Sequence, residues 1–479
     1  MSGESRAFVG SAANDLVVAI TPGEIISFSI GTFGTGSGTL AFVVALLLAI
    51  GAFALAAALG FVAAENQFGT VAGGVLAGMT ATAIAISLVA SIGPSLAMGG
   101  VVGGYVLLVQ WLSNASIDVD RDEDRRRLLT EVAGVLGFTG IAFLLGRRAS
   151  NVPNPEEFTP LFEDRPAADA AEREEAIAAK LAEAEEQSLG VDGIPGLVSS
   201  IDEFYEVDIN RINPRIIADR WTLSVSGAVE NPLEISYGDL RNGPVEDRFI
   251  TLRCVGDALN GQQMDNALWT GIPIDVLLAE ARPRGEYVML RASDSYYEGF
   301  SLSALQNGFL AFGMNGSTLP RKHGYPVRAH IPGHWGEINV KWLEEIEVLD
   351  EYADGFWEEK GWHGTGPVNT VAKLWAVNYL EDGRTEMGGH AYAGTRGIEA
   401  VEASTDGGGS WTRATLSPEL DAEDAWRQWV YRFDPIPEEQ EVVVRAIDGT
   451  GTIQSRAESD PFPSGPSGWV RVSVLRQNR

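Results

Sequence analysis

Four long stretches with almost no charge constrain this chain more than any other feature. Residues 38–63, 69–93 and 95–112 contain no Asp, Glu, Lys or Arg, and residues 128–146 contain only Glu131. A bilayer core needs about 20 apolar residues per helix, so the spacing predicts four transmembrane helices at these positions. Buried helices of a soluble protein are the plainer alternative, and three successive uncharged stretches weigh against it. Frequent Gly, Ala and Ser suit close helix–helix approach. Residues 7–36, interrupted by Asp15, Pro22 and Glu24, read as interfacial or re-entrant. All five histidines lie at or after His323, so the helices have no bis-His haem site, and Met79 and Met98 alone cannot replace one. No charge lies deep in the first three stretches, which leaves an ion pathway or a transporter with little support.

The rest of the chain suits water. The 479 residues include 65 Asp+Glu against 35 Lys+Arg, a formal net charge of −30. That balance excludes a nucleic-acid binder working through a general basic surface. The acidic surplus lies mainly in the second half, where it keeps a surface hydrated at high salt, so a salt-loving source is expected. A single cysteine excludes an internal disulfide and any Cys-rich zinc or iron–sulfur site. Residues 151–200 are rich in Ala and Glu and read as an acidic helical tether. From 201 to 364 the chain reads as a central α+β domain. Its strand candidates are 221–229, 248–255, 287–293, 325–331 and 338–349, and its short helix candidates are 275–281 and 303–313. Residues 365–479 read as a C-terminal Ig-like β-sandwich, with turns at sandwich spacing. The whole is a multi-domain chain behind an N-terminal α-helical membrane bundle at 1–150.

Orientation follows from arginine. Loop 113–127 holds Arg121, Arg125, Arg126 and Arg127, whereas loops 64–68 and 93–95 hold no Lys or Arg. Arginine excess marks the cytoplasmic side, so the soluble half is expected on the extracytoplasmic face of the cell membrane. Arg147 and Arg148 pull the other way. Arg125-Arg126-Arg127-Leu128-Leu129 also resembles a twin-arginine export signal placed internally. As a plain positive-inside anchor it gives the same orientation.

Two clusters carry candidate chemistry. Cys254 ends a β-rich run and opens a loop, DALNGQQMDN, where a scaffold presents a ligand. Most lone cysteines are small core residues, but Arg253 beside this one could favour the thiolate that binds metal. The second cluster runs from Arg321 to Trp342 and gathers Arg, Lys, His, Gly and Pro inside an acidic chain. Such a group makes a cradle for a phosphate-bearing cofactor, or else an ordinary surface hairpin with ion pairs. No Walker-type or GxGxxG phosphate loop stands in the soluble half.

Together the clusters carry a resemblance. Cys254 after a strand, Trp269-Thr270-Gly271-Ile272-Pro273, Met314-Asn315-Gly316, HGYPVR at 323–328, Pro332-Gly333 and Val340-Lys341-Trp342 resemble the sulfite oxidase family of molybdopterin enzymes, its membrane-anchored prokaryotic branch most of all. Phe204-Tyr205 followed by residues 220–240 resembles the family's opening strands. Residues 394–411, 444–451 and 468–474 resemble its β-sandwich dimerisation domain. The likeness covers about 200–479 and not the membrane half.

The resemblance implies a pyranopterin molybdenum cofactor, with Cys254 as the protein thiolate on the metal. It implies that His323, Arg328 and Lys341 bind the pterin and its phosphate. Asn339 and Val340 would add backbone contacts, with Phe204, Tyr205 and Asp294 also at the cofactor. Cys254, Trp269 and Trp362 would stand at the reacting centre. Oxygen-atom transfer on a small-molecule substrate and a homodimer through 365–479 follow from the same likeness. No haem is expected, because the helices lack histidine and the soluble half has no b5-type segment, so electrons are expected to go to a separate carrier. Several positions depart from the family pattern. Leu259 stands where sulfite oxidases carry an Arg, Trp362 where they carry a pocket Tyr, and a region around Phe462 where they carry another Arg. The Arg of the opening motif has no clear counterpart, though Arg211 lies close. Sulfite needs several charge-assisted donors, so the departures open a less charged substrate, a sulfoxide or N-oxide, as a reading beside sulfite. Otherwise sulfite would be held by Arg211, His330 or His334. The reading from another class is a binding or scaffold protein on the same fold that has lost the metal.

Overall fold

The computed structural model describes residues 167–210, 213–434 and 440–474. The four expected membrane spans, residues 7–36, the arginines of loop 113–127 and Arg211 lie outside the described residues. Among the described residues no helix is long and apolar enough to cross a membrane.

Helix α1, Ala167–Glu186, follows from its run of Ala, Glu and Lys, all strong helix formers. It does not hang free as a tether. Ile177 and Ala184 are buried in the central core. Lys180 Nζ donates to the Asp247 carbonyl at 2.8 Å, and Arg173 pairs with the Asp247 carboxylate at 3.1 Å. Val191, Leu197 and Ser199 downstream are buried as well.

The central region contains β1 (Thr222–Gly227), β2 (Leu233–Ser236), α2 (Tyr237–Arg241), β3 (Glu246–Arg253), β4 (Met264–Pro273), α3 (Asp275–Ala281), β5 (Tyr287–Ala292), β6 (Tyr297–Ser301), α4 (Leu302–Leu305), β7 (Phe309–Met314), β8 (Ser317–Thr318), β9 (Arg328–His330) and β10 (Leu343–Leu349). One sheet has the order β2-β1-β10-β5-β6, with β1 and β10 parallel. The other runs β3-β4-β7-β8, with β9 paired to β7. Local rules placed α3, β1, β3 and β5, placed β9 and β10 in part, and missed β2, β4, β6, β7 and β8. Residues 303–313 were expected to be helical, yet helix ends at Leu305 and Phe309–Met314 is a strand, buried at every position. The loop expected to reach 266 stops at Met264, where β4 begins and stays buried through Ile272. A strand buried on both faces shows no alternation to read. The candidate at 338–349 is strand only from Leu343, and that at 325–331 only over Arg328–His330.

The last region contains β11 (Val371–Ala372), β12 (Ala376–Tyr379), β13 (Thr385–Tyr392), β14 (Ile398–Ser404), β15 (Thr412–Arg413), β16 (Thr415–Leu416), β17 (Arg427–Phe433), β18 (Gln440–Asp448) and β19 (Val470–Val474). They form two antiparallel sheets, β11-β13-β17-β16 with β12 on β13, and β15-β14-β18-β19. Met387, Val401, Trp429, Val442 and Val444 share the core that they supply. Val368, Val371, Tyr392 and Trp426 belong instead to the central core, so packing continues across the boundary expected near 365. Hydrogen bonds reinforce it: Thr251 N–H donates to the Asp424 carbonyl at 2.8 Å, and Trp426 N–H to the Thr251 hydroxyl Oγ1 at 2.9 Å.

Candidate active site

Strand β3 ends at Arg253, and Cys254 opens the loop that leads to β4. The loop closes on itself. Cys254 N–H donates to the Gln263 carbonyl at 3.0 Å, and Asp257 N–H to the Cys254 carbonyl at 3.3 Å. The Asp257 carboxylate accepts from Gln263 N–H at 3.1 Å and pairs with the Lys373 ammonium. Lys373 is fully buried and also donates to the Gly261 carbonyl at 2.7 Å. A Cβ on Gly261 would stand 1.9 Å from Asp257 Oδ1, so this turn needs glycine. Burial pushes the Cys254 thiol up to about 12; Asp257 and Glu337 add to the rise, and Gly256 N–H and Lys373 oppose it. Free of metal, the sulfur keeps its proton at neutral pH. The Arg253 guanidinium is buried, and Cys254 is among the groups whose charge would act on it. It lies 4.8 Å from the Trp335 ring and donates to the Asn369 carbonyl at 2.9 Å.

Polar residues at the start of β4 explain how residues 199–205 reach the site. Asp265 accepts from Ser199 Oγ at 2.6 Å and from Tyr205 N–H at 2.9 Å, while the Asn266 carbonyl accepts from Ser199 N–H at 2.8 Å. Phe204 is thereby set edge-on to Trp269 and His323, each at 5.5 Å, and stacked on Tyr205. Trp269, fixed by its Nε1 bond to the Ile250 carbonyl at 3.1 Å, meets the His330 ring at 4.1 Å and the Arg328 guanidinium at 5.1 Å. A Cβ on Gly336 would come 2.9 Å from Tyr205 Oη, so glycine lets residues 335–339 close over Tyr205. Burial raises the Tyr205 hydroxyl well above its ordinary range; Cys254 adds and Arg328 opposes. Cys254, Tyr205 and Arg328 therefore share one field.

The basic segment wraps the same place. Arg328 donates from Nη1 to the His323 carbonyl at 3.1 Å and from Nη2 to the Asn339 carbonyl at 3.2 Å. The Asn339 side chain bridges Ile331 N–H at 2.7 Å and the Trp335 carbonyl at 2.8 Å. The Val340 carbonyl accepts from Ala329 N–H at 2.8 Å. Lys341 pairs with Asp208 and donates to the Lys322 carbonyl at 3.2 Å. Burial drives His323 down to about 3, so its ring is neutral, with Nε2 3.0 Å from the Ile201 carbonyl. Asp294 sits in the β5–β6 turn and accepts from Tyr296 N–H at 3.0 Å; its neighbour Ser293 N–H donates to the Trp342 carbonyl at 2.9 Å.

The positions that depart from the family pattern are apolar here. Trp362 is buried edge-on to Phe462 at 5.3 Å, and Leu259 packs against both cores. Gly364, two residues on, lies against Val255 and Glu337, which brings this segment to the flank of the Cys254 loop. His330 is buried and pushed well below its ordinary range by burial, with Arg328 adding, so it is neutral. His334 instead lines a groove of about 890 Å³ with Lys180, Arg248 and Asn307, and Cys254 is not among its lining residues. Asp257, Glu337 and Lys373 escaped sequence reasoning. Lys373 stands 116 residues from its partner, with no local pattern to mark it.

The buried charges leave a deficit. Arg253 and Arg328 are 0% and 4% exposed. Arg253 Nε and Nη2 and Arg328 Nε are buried without a hydrogen-bond partner. Among the described residues no carboxylate forms an ion pair with either guanidinium, since Asp257 and Asp208 pair with Lys373 and Lys341. Unpaired buried charge costs several kcal/mol. An anionic, phosphate-bearing ligand beside a thiolate-seeking metal would offset it, and the donor set fits one.

Comparison with known proteins agrees. Residues 210–357 match the family model described as the oxidoreductase molybdopterin binding domain, and residues 369–461 the Mo-co oxidoreductase dimerisation domain. The chain is 25% identical to a sulfite oxidase of Arabidopsis thaliana over 327 residues, covering 54% of this chain and 83% of that one. Against the mitochondrial sulfite oxidase of Rattus norvegicus identity is 27%, covering 50% of this chain and 54% of the relative. Against a nitrate reductase of Fusarium oxysporum it is 25%, covering 49% and 35%. The chain thus spans about half the length of the rat relative. The buried cysteine, the orphaned arginines around it and two successive domain matches say the same thing: this chain belongs to the sulfite oxidase family of molybdopterin-binding oxidoreductases.

Proposed function

We propose that this chain is a membrane-anchored enzyme that binds a pyranopterin molybdenum cofactor and transfers an oxygen atom to or from a small, weakly charged substrate. The observation that carries the reading is the pair of buried guanidiniums, Arg253 and Arg328, with unpartnered nitrogens beside the only cysteine. Cys254 would hold the metal. Arg328 and Lys341 would hold the phosphate. Phe204 and Tyr205 would wall the pterin, with Asp294 and the backbone of Asn339 and Val340 completing the cradle. When bound, the metal supplies two-electron oxygen-atom chemistry. His323, neutral and bonded through Nε2 to the Ile201 carbonyl, offers Nδ1 as an acceptor for a ring N–H. Gly256 N–H and the Lys373 ammonium favour the thiolate that Cys254 must become.

Leu259, Trp362 and Phe462 favour a sulfoxide or N-oxide over sulfite, because they supply no charge-assisted donor. Neutral His330 offers sulfite no cation either. Four apolar stretches, three of them without charge, and the arginines of loop 113–127 support an anchor in the cell membrane with 201–479 on the outer face. A separate electron carrier and a homodimer through 365–479 complete the proposal; the dimerisation-domain match supports the latter.

Metal analysis of the purified full chain tests the reading. We expect near one molybdenum per chain, and in Cys254→Ser the same far-ultraviolet circular dichroism with turnover abolished. Absence of molybdenum from protein made in cofactor-replete cells would favour the scaffold reading. A substrate screen is expected to rank sulfoxides and N-oxides above sulfite.

A further inference from the structure

Three glutamates from separate elements meet beside the cofactor cradle. Glu298 lies in β6, Glu337 in the turn Gly336–Ile338 and Glu358 in the turn Glu358–Lys360. One carboxylate oxygen from each stands within 4.8 Å of the other two. Glu298 is 0% and Glu337 6% exposed. Glu298 Oε1 and both carboxylate oxygens of Glu337 and Glu358 are buried with no side-chain cation to pair with among the described residues; Glu358 reaches the other two carboxyls and Gly364 N–H faces Glu337, contacts that leave the cluster's charge unbalanced. The remaining oxygen, Glu298 Oε2, lies 2.7 Å from Tyr296 Oη, which is also 2.8 Å from the Glu337 carbonyl. One phenol proton cannot neutralise three acids. Two glycines keep the space around them clear. A Cβ on Gly355 would stand 1.5 Å from Glu298 Oε1, and one on Gly364 1.9 Å from Glu337 Oε2.

We propose that Glu298, Glu337 and Glu358 form a binding site for a hard divalent cation, Ca²⁺ by size, distinct from the thiolate site at Cys254. All the donors are carboxylate oxygens, which suits Ca²⁺ or Mg²⁺ and not a soft metal. Ca²⁺ takes oxygens at about 2.3–2.6 Å in irregular geometry, so donors on opposite sides of it stand up to about 5 Å apart; Mg²⁺, at about 2.0–2.1 Å, demands a tighter octahedron. Empty of a cation, the buried acids hold protons: burial drives Glu298 and Glu337 well above the carboxylate range, with Glu358 adding. A cation here would tie β6, the loop that carries Asn339 and Lys341, and the segment that carries Trp362.

The test uses the full chain in detergent, treated with EDTA and then titrated with CaCl₂ or MgCl₂. The expected result is one tightly held Ca²⁺ per chain by elemental analysis. EDTA should lower the melting temperature, and CaCl₂ should restore it at concentrations where MgCl₂ does not. Glu298→Gln should lose the ion. Glu358→Gln, at the least buried member, should fold and bind at least tenfold more weakly. No stoichiometric Ca²⁺ and a melting temperature indifferent to EDTA would overturn the proposal and leave shared protons in its place. Equal binding by wild type and both variants would also overturn it, by placing the ion on the acidic surface. Molybdenum content is read in the same samples, so failure here and failure of the proposed function are separate results.

Discussion

Lys373 and Asp257 illustrate how much of this site hangs on single side chains. Both are buried, and the ammonium holds together the Asp257 carboxylate, the Gly261 carbonyl and so the loop that presents Cys254. Removing one partner strands the other's charge. Lys373→Met should therefore cost about 3–5 kcal/mol, and Lys373→Met with Asp257→Asn much less. Denaturant unfolding of the two variants beside the wild type checks this; equal losses for single and double variants would dismiss the pair as an organiser. Asp424 is a second case. Its oxygens accept from Tyr392 Oη at 2.7 Å and Gly333 N–H at 3.0 Å, yet burial raises it to about 7. The folded state then binds the extra proton between the ordinary 3.8 and about 7. Stability from this group is full below that window, falls as pH rises through it, and is level above. Asp424→Asn should flatten that slope. Its amide can donate to Tyr392 Oη, whose own proton can turn to the Thr251 carbonyl at 3.1 Å. Melting temperatures between pH 4 and 8 give the comparison.

Among the elements, α1 shows composition and docking parting company. Its Ala and Glu content foretells a helix, and the helix forms over Ala167–Glu186. Its docking was not legible, because the buried stripe is only Ile177 and Ala184, with Leu181 packed against it, in a run that otherwise reads as solvated. Ile177→Asp should release the helix, and protease should then cut near 187–190 in folded protein while the wild type resists. Equal cleavage in both would mean that the contact is weak. Strands β4 and β7 show the opposite failure. They are buried on both faces, so nothing in their pattern alternates, and the polar start of β4 looks like loop until residues 197–205 are laid beside it.

At the scale of the whole molecule, the uncharged N-terminal stretches and the acidic half pose separate problems. The central core draws Val368, Tyr392 and Trp426 from the C-terminal region, so the two described domains support each other. Orientation rests on arginine. Protease added outside intact spheroplasts should degrade residues 201–479. Replacing Arg125, Arg126 and Arg127 together with Lys keeps the positive charge and removes the twin-arginine pattern. If export uses that pattern, the variant's globular half stays protected inside; digestion in both would leave positive-inside anchoring as the whole explanation.

Much of the candidate site was readable along the chain. Cys254 at a strand end, the basic segment 321–342 and the aromatic pair at 204–205 are local signatures, because a ligand-binding loop needs particular residue types in a particular order. Other features could come only from the packed structure. They include the Lys373–Asp257 pair, the guanidiniums left without carboxylates, and the meeting of Glu298, Glu337 and Glu358. A chain pattern records which face of an element is buried. It does not record which distant side chain arrives there, nor which charge stays unpaired once the sheets have closed.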